Sequence, residues 1–183
     1  MKKAILLISV FFTIVSCSSD QLSKSKAKDI INECLEAKPD LKFIQIDNKE
    51  FVISEAVKDS KKIEDGLKKL ANDGLLNIEL LDKKNSIWAG NKYYKVNHTD
   101  QANKYVLESF SRNGKTAFKT FEYSVDEILE IHEIPAVNMA EVKVKFKASE
   151  ITPFVDLSIV KPKENYIKTI KFTKTNDGWK YCD

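Results

Sequence analysis

Glu141-Val142-Lys143-Val144-Lys145-Phe146-Lys147-Ala148 is the stretch that decides the fold class. Val142, Val144, Phe146 and Ala148 alternate with three lysines, the two-residue period of a strand with one face in a core and the other in water. Strand patterns surround it from Lys115 onward: Ala117 to Val125, Ile128 to Ile134, Tyr166 to Thr175 and Trp179 to Cys182. Asn176-Asp177-Gly178 supplies a hairpin turn before the last of them. Thr152-Pro153-Phe154 marks a loop, because proline does not sit in a central strand. An antiparallel sheet is expected over 111–183.

Upstream the period changes. Ala27, Ile30, Ile31, Cys34 and Leu35 recur at helical spacing, with Ser23 or Ser25 to cap the start and Pro39 to stop the helix. Ile63, Leu67, Leu70 and Ala71 form a second stripe after Asp59-Ser60, closed by Gly74. Between them, Lys42 to Ile46 and Phe51 to Ile53 incline to strand about an Asp47-Asn48-Lys49 turn. Leu75 to Leu81, a Lys83-Lys84-Asn85 turn and Ile87 to Asn97 read as a hairpin, and Thr99 or Asp100 can cap a third helix through Phe110. The class is therefore α+β, with a helical half at 26–110 and a β half at 111–183. Each half alone falls below about 100 residues, where a core is marginal, which favours a shared one.

Leu67 to Val106 resembles the winged-helix pattern of bacterial regulators, in which a helix closing on Gly-Leu precedes a wing and a further helix start. It also looks like a group of uncharacterised exported proteins that join such a half to a β-rich half. His98 and Ala102 depart from the pattern, standing where a Leu and a Gly are usual. An alternative places the helix at Thr99 to Phe110 on a curved sheet, in a cystatin-like or NTF2-like unit. The closing Asp177-Gly178-Trp179-Lys180 is similar to the last strand of such domains.

The amino terminus carries an address. Lys2 and Lys3 precede Ala4 to Val15, an apolar run broken only by Ser9 and Thr13. Twelve residues reach about 18 Å as a helix, short of a bilayer core of roughly 30 Å, so 1–16 reads as a removable signal peptide. Ile14-Val15-Ser16-Cys17 resembles the lipobox of bacterial lipoproteins, which implies a diacylglyceryl group on Cys17, cleavage just before it, acylation of the new amine, and residues 17–25 as a lipidated tether. Ser18, rather than Asp, after that cysteine implies the outer membrane by the same resemblance. The plainer alternative is an ordinary signal with an incidental cysteine.

Lipidation of Cys17 leaves Cys34 and Cys182, an even number that suits one bridge in an oxidising compartment. Otherwise Cys34 is a small hydrophobe on a helix face and Cys182 an unpaired terminal thiol. Removing Lys2 and Lys3 from 30 basic residues leaves 28 against 27 acids, which disfavours a general polyanion binder. The region from Ser60 to His98 has eight lysines, five acids and no arginine, a poor set for reading bases, so no nucleic acid is expected as a partner.

No catalytic, cofactor-binding or metal-ligating set stands out. His98 and His132 lack partners at a metal spacing, and Glu64-Asp65 and Asp126-Glu127 read as ordinary surface neighbours. Trp88, Tyr93 and Tyr94 gather in or beside the expected wing. If exposed, they form a surface for an envelope protein or glycan; if buried, they are strand fillers. Two functions follow: a non-enzymatic, lipid-anchored binding or accessory module of the cell envelope, or an envelope hydrolase whose site is assembled from residues distant in sequence.

Overall fold

The structure, a computed structural model, describes residues 21–82 and 90–182. It is a mixed α+β protein. Helix α1 spans Lys24–Ala37, and the Ser23 side chain caps it by accepting from the Lys26 backbone N–H at 3.2 Å. Strands β1 (Leu41–Asp47) and β2 (Phe51–Ser54) precede helix α2 (Ser60–Asn72). Then come β3 (Leu76–Leu81), β4 (Asn91–His98), β5 (Lys115–Ile134), β6 (Met139–Ser149), β7 (Tyr166–Thr175) and β8 (Gly178–Lys180).

Two antiparallel sheets result. The larger has the order β1-β5-β6-β7-β8 and the smaller β2-β4-β3. β1 comes from the stretch before Ser111, yet it pairs with β5, Leu41 opposite Glu122 and Asp47 opposite Lys115. The small sheet and α2 are thus inserted between two neighbouring strands of the large one. The insert's neck is closed by the Asn48 N–H on the Gly114 carbonyl at 3.1 Å and by the Thr116 hydroxyl on Asn48 Oδ1 at 2.9 Å.

The alternation read in β6 carries through: Ala140, Val142, Val144 and Phe146 are buried, while Lys143 and Lys147 are exposed. They pack with Ala27 and Ile31 of α1, Phe121 and Val125 of β5, Phe172 of β7 and Trp179 of β8. A second core joins Leu67 and Leu70 of α2 to Ile53, Leu76, Tyr94 and Val96 of the small sheet. Ile46 of β1 and Phe118 of β5 enter this second core, so the large sheet serves both. Phe118 enters the second core and Phe121 the first, on either side of a register shift of β5 against β1.

Three expectations are corrected. Ala117 to Val125 and Ile128 to Ile134 are not separate strands but one, with register shifts between Val125 and Glu127 and between Ile128 and Glu130. Each extra residue flips the parity, so Ile128 and Ile131 return to the core that Val125 faces. The third helix is absent: Asp100–Tyr105 and Glu108–Phe110 are short 3-10 turns. Val106 bridges to Phe118, and the Leu107 N–H donates to the Ala117 carbonyl at 2.8 Å, which draws this backbone out of helical geometry. A helix does lie on the large sheet, but it is α1 and not the Thr99 to Phe110 segment of the alternative fold.

Candidate functional site

Helix α2 presents one apolar stripe to the second core, and its charged flank meets β4 there. Glu64 sits at that junction with its side chain 13% exposed. It accepts from Lys68 Nζ, one turn on, at 2.7 Å, from Lys92 Nζ of β4 at 2.6 Å and from the Tyr94 hydroxyl at 3.1 Å. The hydrogen bonds from Lys68 and Lys92 hold its pKa down at about 2, against a smaller upward push from burial. The same contacts raise both lysines, and burial with the Glu64 hydrogen bond raises Tyr94. Glu64 is thus a permanent carboxylate at neutral pH, tied to two cations, and its chemistry is to lock helix to sheet.

A cleft of about 510 Å³ opens over this cluster, lined by Ile53, Glu55, Ser60, Lys61, Glu64, Asp65, Lys68 and Lys92. Its three lysines meet three carboxylates, so it has no net field to select an anion. On the other flank of α2 lies a more enclosed and more apolar groove of about 350 Å³. Val57, Ile63 and Ile159 form its apolar part, and Lys58, Lys62 and Lys161 lie with Asp59 and Asp156 in its walls. Lys69 ties the carboxylate of Asp156 to α2 at 2.8 Å.

Of the residues singled out in the sequence, Cys17 and Trp88, with the turn at 83–85, lie outside the described residues. Tyr94 is 4% exposed and hydrogen-bonded to Glu64, so it belongs to the core and not to an exposed aromatic surface. Tyr93 is half-buried in β4. The structure joins Cys34 of α1 to Cys182 beyond β8, with Cα atoms 6.0 Å apart. His98 packs edge-on to Phe118 at 5.7 Å, and His132 is exposed. Among the described residues no group of three His, Cys, Asp or Glu side chains could hold a metal ion. No helix among them is long and apolar enough to cross a membrane.

Two residues escaped the sequence reading. Glu64, read as an ordinary surface neighbour of Asp65, is largely buried; the signal was its spacing of four from Lys68, the favourable order for a helix pair. Ile159 is 89% exposed at the mouth of the groove, and only its place in Ser158-Ile159-Val160-Lys161-Pro162 marked it. No family model, curated protein or solved structure matches the chain.

Proposed function

We propose that the protein is a non-enzymatic, lipid-anchored binding or accessory module of the bacterial cell envelope, held at Cys17 in the outer membrane. The observation that carries the reading is the order of basic start, apolar run and Ile14-Val15-Ser16-Cys17 ahead of a folded body. That body begins at Leu22, which is 4% exposed and whose backbone N–H donates to Glu133 Oε1 at 2.7 Å. Only four residues separate it from Cys17, so the packed part starts within about 18 Å of the lipid at 3.6 Å per residue. The Cys34–Cys182 linkage suits a protein exported to an oxidising compartment.

In this reading the inserted lobe is the contact element. Its winged-helix character rests on α2, the Gly74-Leu75 closure and the β3–β4 hairpin, with β2 added outside β4. Gly74 takes φ +72, the left-handed geometry of a helix terminus. The partner is an envelope protein, glycan or lipid, and no nucleic acid. Among the described residues the carboxyl held furthest below its ordinary value, Glu64, is engaged by two lysines, which speaks against its use as a proton carrier in the hydrolase reading. Mass spectrometry of membrane-extracted protein tests the anchor: the amino-terminal peptide carries acyl mass on Cys17, and Cys17→Ala leaves an uncleaved or soluble chain. A mature terminus elsewhere with a free Cys17 thiol overturns it.

A further inference from the structure

The groove beside α2 ends in a turn that holds an apolar side chain out into water. The Ser158 hydroxyl donates to the Val160 carbonyl at 2.7 Å, and the Ser158 N–H donates to the Val155 carbonyl at 3.1 Å. Lys161 Nζ reaches back to the carbonyls of Val155 at 2.8 Å and Asp156 at 3.3 Å. Held in this way, Ile159 stays 89% exposed, with Val160 53% and Val57 49% exposed beside it. The surrounding charge leans cationic: Lys58, Lys62, Lys69 and Lys161 stand against Asp59, Asp65 and Asp156, a surplus of one. Lys62 pairs with Asp59 at 2.9 Å and Lys69 with Asp156 at 2.8 Å, which leaves Lys58 and Lys161 as the cations beside the tip that no carboxylate among the described residues engages. An apolar tip ringed by lysines matches the boundary of a bilayer with anionic headgroups, where acyl chains take the tip and headgroups take the lysines.

We propose that the Val57, Ile159 and Val160 tip, with its ring of lysines, is a second membrane contact that docks on anionic lipid. It deepens the anchored-module reading and rests on it for the presence of a nearby bilayer. The geometry then sets an orientation. Leu22 is fixed to Glu133 near one end of β5, while the turn Pro153–Leu157 starts at Thr152, whose N–H bonds the Thr120 carbonyl. Thirteen residue steps of strand lie between those points, about 40 Å at 3.2 to 3.4 Å per residue. With a connection of at most about 18 Å to Cys17, anchor and tip reach one plane when β5 lies roughly along the membrane surface.

The test uses the mature chain with Cys17→Ser, which removes the lipid, so failure of the anchor and failure of this contact are read separately. Ile159→Trp is mixed with vesicles of phosphatidylethanolamine and phosphatidylglycerol carrying brominated acyl chains. The added emission is expected to be quenched, whereas that of Thr169→Trp, exposed on β7, is not. Ile159→Asp abolishes binding, and Lys58→Gln or Lys161→Gln weakens it about fivefold each, the effect of one basic residue near an anionic surface. Equal quenching at both positions, or binding unchanged in Ile159→Asp, overturns the proposal. Burial of Ile159→Trp on whole membranes but not on protein-free vesicles assigns the tip to a protein and overturns it equally.

Discussion

Replacing Glu64 by Gln tests whether a depressed carboxylate locks α2 to the small sheet. The side chain keeps its shape, but the amide has one accepting oxygen where the carboxylate uses two, so the change removes the charge and sets an N–H donor against one of the two lysines. A shift from 4.5 to about 2 corresponds to roughly 3 kcal/mol at 1.36 kcal/mol per pKa unit. Lys68 and Lys92 are 54% and 41% exposed, and solvent screening of the pairs brings the expectation to about 1 to 2 kcal/mol. Because the folded pKa is the lower one, this stability is complete above pH 4.5 and is lost as pH falls through about 2. Half of it is gone near pH 3, about midway between the two values. Urea unfolding of parent and Glu64→Gln at pH 7 should give midpoints about 0.5 to 1 M apart for a slope of about 2 kcal/mol/M. The gap should narrow on acidification and close near pH 2. Equal midpoints at pH 7, or a gap undiminished at pH 2.5, would refute the argument.

Alkylation of the native protein without reductant should label neither Cys34 nor Cys182. Cys34→Ser should lose on the order of 4 to 5 kcal/mol in the chain-entropy model, given the separation of 148 residues; labelling of both thiols speaks against the bridge. Phe154 is fully buried and stacks on Phe118 at 4.2 Å, so Phe154→Ala should cost about 3 to 5 kcal/mol in chemical denaturation. A loss below about 1 kcal/mol would mean that the second core repacks around the gap. The mature chain with Cys17→Ser should bind mixed-sequence duplex DNA weakly or not at all even at low salt. Submicromolar binding that survives physiological salt would contradict the envelope reading.

Local signals and distant ones were unequally legible in this chain. The helix at Ala27 to Leu35, the stripe through Ile63, Leu67 and Leu70 and the alternation around Val144 each depend on a few neighbouring residues, and all three appear in the fold. The partnership of β1 with β5 does not, because nothing within Leu41 to Asp47 says which of the seven other described strands it will meet. The third helix failed for the same reason: Leu107 has a partner in Ala117 that helix periodicity cannot see. At the site, Tyr94 took the core reading because its hydroxyl found Glu64, a partner on another element. Ile159 was overlooked because exposure is a property of the finished surface and leaves no pattern in the sequence.

The insertion of the small lobe between β1 and β5 bears on how the chain can fold. Before Asp47 can meet Lys115, the 67 residues between them must close into a loop, whose length-dependent entropy is about 4 kcal/mol for an unstructured segment. If α2 and its three strands collapse first on their own pairings, the two ends of the insert are brought close before Asn48 meets Gly114. The large sheet then zips from a short gap in place of a long one. In that order of events the lobe is an internal nucleus. Straining the junction of α2 and β3, for example by Gly74→Val at φ +72, should slow formation of the distant β5–β6 ladder although no residue of that ladder has changed.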